Sequence, residues 1–568
     1  MSDDKTLTPA EAAKTSGNYL RGTIAQDLVN DSDQFDKDNG LLLKFHGTYQ
    51  QDDRDARGSD GKIFSMMTRT RIPGGILSPE QMIAHLDLCD EIGNATLKCT
   101  TRQAIQLHAI PKSRLRETLN RISKVHLSTI AACGDVNRNI MCCPAPYKNG
   151  IHCEMQKLAE SLSAHLEPRT GAYYELWVKD EQSGEKSLAS QSQVDQEEPL
   201  YGKTYLPRKF KTAITLPEDN CIDVYTNDLG YIAVVRDGKI IGYNITVGGS
   251  FGTTPSAKKT FPALAKRLGF ITPDQAFSIA EAIIKVQRDY GNRADRKTAR
   301  MKYLIADKGM DWFKAEVERY FGRSIPECTG DDVHGHNDHM GWDAQGDGRW
   351  FYGWNVENGR LYDSEDRRWK SAIREICATL SPGIRLTAHQ SILFTDIADS
   401  QRSTLEEIIH RNDLPLSEEI SEVRRWSMAC VALPTCGLAV TESERVLPSL
   451  MDDMERELAR LGLAKEQFTV RMTGCPNGCA RPYNADIGLV GKTKGKYTVF
   501  VGGQRLGTRL NFIHKDLVAF EDILPTLLPL FTAFKQMRVG AESFGDFCAR
   551  LGNEKLLELS AKYVASSA

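Results

Sequence analysis

Two short stretches of this chain carry four cysteines with the spacing of a metal centre. Ser427-Met-Ala-Cys-Val-Ala-Leu-Pro-Thr-Cys436 supplies Cys430 and Cys436, and Arg471-Met-Thr-Gly-Cys-Pro-Asn-Gly-Cys-Ala-Arg481 supplies Cys475 and Cys479. The pattern is C-x5-C, then 38 residues, then C-x3-C. Four thiolates from two loops can close around one iron–sulfur cube. Cys475-Pro476-Asn477-Gly478-Cys479 is a turn sequence, in which Pro and Gly hold a tight loop, thiolates point inward and backbone N–H groups can face sulfur. Two other readings compete. Structural zinc pairs have two to four residues between cysteines, so C-x5-C is wide for zinc. Plain buried thiols are the commonest fate of a cysteine.

A second set of residues could neutralise an anion. Arg69 and Arg71 lie two apart, as do Lys209 and Lys211, and residues two apart share one face of a strand. Arg138 sits in the turn-prone Asp135-Val-Asn-Arg-Asn139, and Lys98 and Arg102 precede Gln106 and His108 in a strand-like run. A lone basic residue is ordinarily a solvent-facing charge. Here the basic pairs interrupt apolar strands, in the part of the chain that lacks the four cysteines.

Elements that position these groups can be read around them. Ile63 to Ile72 reads as a strand stopped by Pro73-Gly-Gly75, and Ser78-Pro-Glu-Gln81 as a capping box opening a helix whose apolar face is Met82, Leu86 and Cys89. A strand follows from about Thr96. The unit recurs: Leu97-Lys-Cys-Thr-Thr-Arg-Gln-Ala-Ile-Gln-Leu-His-Ala-Ile110 aligns with Ile384-Arg-Leu-Thr-Ala-His-Gln-Ser-Ile-Leu-Phe-Thr-Asp-Ile397. Tyr243-Asn-Ile-Thr-Val-Gly-Gly249 likewise echoes Tyr497-Thr-Val-Phe-Val-Gly-Gly503. The order A–B–A′–B′ predicts two similar halves about a pseudo-twofold, with a cofactor-sized cleft between them. Residues 1 to about 62 read as an extended or partly ordered arm, Asp180 to about Glu198 as a solvated loop, and Asp332 to Asp347 as an exposed polar loop that accounts for His334, His336 and His339 without a metal. Adjacent Cys142 and Cys143 read as core residues, since neighbouring side chains point apart.

The T-G-C-P-N-G-C loop after an upstream C-x5-C resembles the siroheme-dependent sulfite and nitrite reductases. Phe45-His-Gly-Thr-Tyr-Gln-Gln-Asp-Asp-Arg54, Leu206-Pro-Arg-Lys-Phe-Lys211 and Gly291-Asn-Arg-Ala-Asp-Arg296 extend the resemblance over nearly the whole chain, toward the NADPH-dependent assimilatory sulfite-reducing branch. The resemblance implies an α+β fold. Duplicated ferredoxin-like half-domains (63–131 and 335–417) would form one domain after an N-terminal arm (1–62). Two α/β domains, siroheme- and substrate-side (132–334) and cluster-side (418–568), would be related by a pseudo-twofold. It implies that Cys430, Cys436, Cys475 and Cys479 bind a 4Fe-4S cluster and that Cys479 also ligates siroheme iron. Arg69, Arg138, Lys209 and Lys211 would surround sulfite. Lys98, Arg102, Gln106, His108, Asn477 and Arg481 would contact the cofactors. Lys98 stands where relatives often have Arg, which keeps the charge and loses the fork. The implied reaction is the six-electron reduction of sulfite to sulfide in cysteine biosynthesis.

Other features bound the function. The chain has 568 residues and a net charge of −3. That argues against nucleic acid and requires any anion site to be built locally. The N-terminus has no apolar leader and no run reaches membrane-spanning length, so a reducing cytoplasm is the expected compartment and no membrane partner is expected. There is no G-x-G-x-x-G after a strand and no Walker loop; Val247-Gly-Gly-Ser-Phe-Gly252 recurs at Val501 and reads as structural. Electrons must therefore come from a partner, and the resemblance implies that NADPH, FAD and FMN sit on a flavoprotein reductase subunit. Two alternatives stand: assimilatory nitrite reduction, against which Lys211 argues because nitrite enzymes tend to have Asn there, and a non-catalytic iron–sulfur carrier, which has no need of the basic residues.

Overall fold

Side-chain hydroxyls and prolines start the helices where the sequence places them. In the computed structural model, which describes residues 7–59, 61–169, 176–180, 183–184, 186–190 and 197–567, Ser78 and Gln81 form the capping box of helix Pro79–Glu91. Met82, Leu86 and Cys89 are fully buried beneath it. Each such side chain stabilises the fold by about 1.5–3 kcal/mol.

The described strands form four five-stranded sheets and one hairpin. The first sheet runs Thr48–Asp52, Phe64–Arg69, Ile105–Ile110, Leu97–Cys99 and Arg360–Leu361; its counterpart runs Gly341–Ala344, Trp350–Trp354, Ile392–Ile397, Gly383–Leu386 and Ile76–Leu77. Each repeat thus donates its short strand to the edge of the other repeat's sheet. One hydrophobic core spans both, from Met82 and Leu97 to Trp354 and Ile392, so the two repeats fold as a unit.

The other two sheets are also a matched pair. Met141–Cys142, Thr212–Thr215 and Leu229–Arg236 are parallel neighbours, followed antiparallel by Lys239–Val247 and Lys266–Ile271. Ser427–Ala429, Val470–Thr473 and Ile487–Thr493 repeat the parallel part, and Lys496–Val501 and Phe512–Ala519 the antiparallel part. The glycine pairs that follow the fourth strand of each sheet are structural, as expected: a Cβ on Gly249 would lie 2.1 Å from the Tyr225 carbonyl oxygen, and one on Gly503 2.2 Å from that of Ala485.

Three segments differ from expectation. Residues 9–52 are not an extended arm. They form helices Pro9–Ser16, Ile24–Val29 and Lys37–Leu42 and strand Thr48–Asp52, which pairs with Phe64–Arg69. Ala13, Leu20, Leu42 and Phe45 enter the core of the sheet that runs from Met141–Cys142 to Lys266–Ile271. The charges that made the segment look solvated are paired inward, with Glu11 2.7 Å from Arg293 and Lys14 3.7 Å from Asp135. The expected solvated loop at 180–198 includes a strand, Lys186–Ser190, paired with Leu176–Lys179; residues 181–182, 185 and 191–196 lie outside the described residues. The 332–347 segment is not uniformly exposed: Asp338 and His339 are buried, and Asp338 receives Arg425 Nη2 at 2.7 Å.

Candidate functional site

The site is assembled from strand register. Arg69 pairs with Gln106, and Gln106 with Lys98, across three adjacent strands, so the three side chains stand abreast; His108, two residues on, shares their face. The Gln106 amide oxygen, turned toward Arg69, accepts from its Nε at 3.1 Å. Arg69 Nη1 also approaches Cys133 Sγ at 3.1 Å. Arg138 is brought in by backbone hydrogen bonds of its loop to Phe210, 3.0 Å in each direction through Arg138 and Val136, which set it beside Lys209 and Lys211.

These groups and the cysteine loops line one cavity of about 600 Å³. Cys430, Cys436, Cys475, Cys479 and Asn477 form one wall; Arg69, Lys98, Gln106, His108, Arg138 and Lys209 contribute to the rest. The N-terminal segment adds Lys44, Tyr49 and Gln51. Among the described residues, Lys44, Arg69, Arg138, Arg208 and Lys209 make no ion pair with a carboxylate, whereas Lys14, Lys98 and Arg296 in the same lining do. Burial pushes the Lys209 ammonium well below its ordinary value, and Lys211, Arg138, Arg208 and Arg300 push it further. Burial, then Arg102 and Arg300, does the same to Lys211, with Cys479 opposing. Buried cations without counter-charges are unfavourable unless an anion joins them. His108 is held neutral by burial, and its Nε2 is buried without a hydrogen-bond partner.

Two sulfurs of the cysteine wall accept hydrogen bonds. Gly474 N donates to Cys430 Sγ at 3.4 Å and Asn477 Nδ2 to Cys475 Sγ at 3.3 Å, donors that favour thiolate. Against them, burial and the neighbouring Cys479 push the Cys475 thiol up to about 11, and burial with Cys479 raises Cys430 and Cys436 too.

Five sequence-predicted residues fall elsewhere or act indirectly. Lys211 lies outside the cavity lining, although close enough to Cys479 to feel its charge. Arg102 is half-buried and outside the lining, donating to Asn227 Oδ1 at 2.8 Å and the Asn139 carbonyl at 2.7 Å; desolvation, then Arg138, lowers it to about 9. Arg481 donates to Asp223, to the Thr101 carbonyl at 3.0 Å and to the Ala388 carbonyl at 2.9 Å. Lys98 lines the cavity but is ion-paired with Glu444. Arg71 does not share the site with Arg69: the strand ends at Arg69, and Arg71 turns to Glu167 at 2.6 Å.

Asp223, Arg471, Thr101 and Arg54, which sequence reasoning missed, tie the two halves together, partly through Arg481. Asp223 and Arg481 occupy matching left-handed positions before matching one-turn helices, at φ 52° and 55°, and they pair with each other across the pseudo-twofold. Buried Arg471 joins them at 2.9 Å from Asp223. Thr101, held by Arg481, donates to the Cys479 carbonyl at 2.9 Å. Arg54, from the N-terminal segment, donates to the carbonyls of Ala439 at 2.8 Å and Cys436 at 2.7 Å. Its signal was its place in the Phe45–Arg54 stretch; nothing in that stretch points to a partner nearly 400 residues away.

The fold and the site define the class. The chain matches the nitrite and sulphite reductase 4Fe-4S domain over residues 158–325 and 422–567, and the nitrite/sulfite reductase ferredoxin-like half domain over 59–125 and 343–412. It belongs to the nitrite and sulphite reductase family. Its relatives include proteins described as sulfite reductase (NADPH) hemoprotein beta-component. That of Geobacillus thermodenitrificans is 43% identical over 549 residues, 95% of each chain. That of Staphylococcus epidermidis is 43% identical over 555 residues, 97% of this chain and 96% of the relative. The solved structure of the Mycobacterium tuberculosis NirA protein shares the fold, with a TM-score of 0.77, 24% identity and 97% of each chain covered. Among the described residues, no helix is long and apolar enough to cross a membrane.

Proposed function

We propose that this chain is the catalytic hemoprotein of a cytoplasmic assimilatory sulfite reductase. It would reduce sulfite to sulfide with six electrons from NADPH, delivered by a flavoprotein subunit carrying FAD and FMN. The observation that carries the reading is the cavity with four cysteines on one wall and five uncompensated cations among its remaining lining. Cys430, Cys436, Cys475 and Cys479 fit a 4Fe-4S cluster, and Cys479, the exposed member, fits a shared ligand to siroheme iron. When bound, the two groups supply single electrons and a soft iron that accepts sulfur. The uncompensated cations fit the carboxylates of siroheme and the sulfite dianion together. Arg69, Arg138 and Lys209, with Lys211 behind them, bind and orient the oxyanion and hold protons near the departing oxygens, which leave as water. Clustered cations lower a lysine's pKa and make it a better acid. Gln106, His108, Lys98 and Asn477 complete the lining, and Arg102 and Arg481 act by positioning it. Domain boundaries near 131, 334 and 417 accord with the four sheets.

The purified chain, tested alone with sulfite and nitrite and a small chemical reductant, is expected to turn over sulfite preferentially, to show tetrapyrrole absorption bands and to be inert with NADPH. Absence of those bands, or NADPH oxidation by the chain alone, overturns the reading. Arg54→Ala removes two hydrogen bonds that hold the Cys436 loop. It is expected to speed iron release to a chelator about 10–100-fold, the usual scale for supports of metal ligands, while leaving the fold intact by circular dichroism. Unchanged release would show that the loop holds itself.

A further inference from the structure

A second group of metal-binding side chains lies away from the cavity. Cys143, Asp219, Cys221 and His339 each offer one ligand atom, and these atoms all lie within 4.8 Å of one another. All four residues are buried. They converge from three segments distant in sequence. Cys143 follows strand Met141–Cys142, Asp219 and Cys221 lie in the turn after strand Thr212–Thr215, and His339 precedes strand Gly341–Ala344 in a left-handed conformation at φ 60°. His339 Nε2 is 2.8 Å from Asp219 Oδ2 and 3.5 Å from Cys143 Sγ, and Cys143 Sγ is 2.9 Å from the same Oδ2.

We propose that Cys143, Asp219, Cys221 and His339 form a structural zinc site. Two thiolates, an imidazole and a carboxylate are a complete tetrahedral donor set for a borderline-soft divalent ion. Zinc–sulfur bonds of about 2.3 Å and zinc–nitrogen or –oxygen bonds of about 2.0–2.2 Å place ligand atoms roughly 3.3–3.8 Å apart. Of the printed contacts, 3.5 Å falls inside that range and 2.8 and 2.9 Å fall short of it, so the ligand atoms must spread slightly to admit the ion. The outer support is present: Asp219 Oδ1 accepts the backbone N–H groups of Cys221 and Asn337, both at 3.1 Å, leaving Oδ2 for the ion. Two thiolates and a carboxylate with a divalent ion leave one negative charge, and Arg385, bonded to the Pro144 carbonyl at 3.2 Å, is within electrostatic reach of Cys143.

All four positions are taken by protein atoms, so the site is closed and serves the fold rather than chemistry. It staples the segment that crosses from the first half to the second, around His339, onto the turn that follows Lys209 and Lys211. That turn already holds the segment by backbone bonds, Asn220 N to the Gly335 carbonyl at 2.8 Å and His334 N to the Pro217 carbonyl at 2.8 Å.

The test is zinc content and zinc-edge X-ray absorption on the cofactor-loaded full-length protein, expressed with zinc and dialysed against EDTA. The expected result is about one zinc per chain with two sulfur and two nitrogen or oxygen ligands. Cys221→Ala should lose the zinc and keep its iron, whereas Cys153→Ala, a half-buried thiol outside the group, should keep both. Less than about a tenth of a zinc per chain overturns the site. So does zinc bound by four sulfurs, which would belong to the cluster cysteines. If Cys221→Ala does not fold, the wild-type absorption spectrum decides alone.

Discussion

Cys475→Ser yields protein without its iron and acid-labile sulfide, and sulfite turnover below about a thousandth of wild type, a barrier increase of more than about 4 kcal/mol. Cys475 is buried at 7% exposure at the end of strand Val470–Thr473, and Asn477 donates to its sulfur. Without metal, burial and Cys479 hold its thiol up at about 11. The cluster must therefore displace a firmly held proton, which a thiolate's bond to iron can drive and a serine hydroxyl, a poor ligand for cluster iron, cannot. Damage should concentrate in the second half. The core under strands Val470–Thr473 and Ile487–Thr493, including Met472 and Leu489, is separate from the core beneath Lys209 and Arg138, which includes Phe210 and Val136. Proteolysis should accordingly open the chain beyond about residue 420 first. A full complement of iron and sulfide in the mutant would remove Cys475 from the ligand set.

How much of this was legible depends on whether the signal was local. The four cysteines announce themselves because type and spacing survive without neighbours. Strand period paired Arg69 with Arg71 and failed there, because the strand ends at Arg69 and Arg71 turns to Glu167; Gln106 and His108 came only with the resemblance, and it is strand register that puts them abreast of Arg69. The duplication was legible as repeated strings, but not the exchange of edge strands Ile76–Leu77 and Arg360–Leu361, since two-residue strands leave no pattern. The N-terminal segment misled because charge was read as solvation. Glu11 and Lys14 are among the most buried charges, matched to Arg293 and Asp135 far along the chain. Arg481 shows the same limit inside a recognised motif: a cation beside the cluster cysteines looks like a cofactor contact until its partner, Asp223 in the other half, is seen. Adjacent Cys142 and Cys143 were read together as core; only Cys142 is purely so, because Cys143 faces groups from two distant loops.

Lys211→Asn separates the two oxyanions. It keeps a hydrogen-bond donor and removes one charge from the set around Lys209, Arg102 and Arg300. Sulfite is a dianion and nitrite a monoanion, so the lost charge should weigh more on sulfite. A charge-assisted contact is worth about 1.5–3 kcal/mol, so kcat/KM for sulfite should fall about ten- to a hundredfold, and nitrite less. Siroheme content should stay near wild type, because Arg69, Arg138, Arg208 and Lys44 remain in the lining. The pH profile supplies an independent check. Burial, then the charge of Lys211, holds Lys209 below its ordinary value in the free protein. An arriving anion raises it again, so binding takes up a proton. Affinity is then greatest below the free-enzyme pKa and declines as pH rises through it. Removing the Lys211 charge relieves one depression of Lys209, so the alkaline limb of kcat/KM should move to higher pH even as its plateau drops. Equal losses for both anions would mean that Lys211 does not discriminate between them. Lost siroheme would make Lys211 a macrocycle contact, and an alkaline limb moving to lower pH would show that Lys209 is not the group whose proton the anion holds.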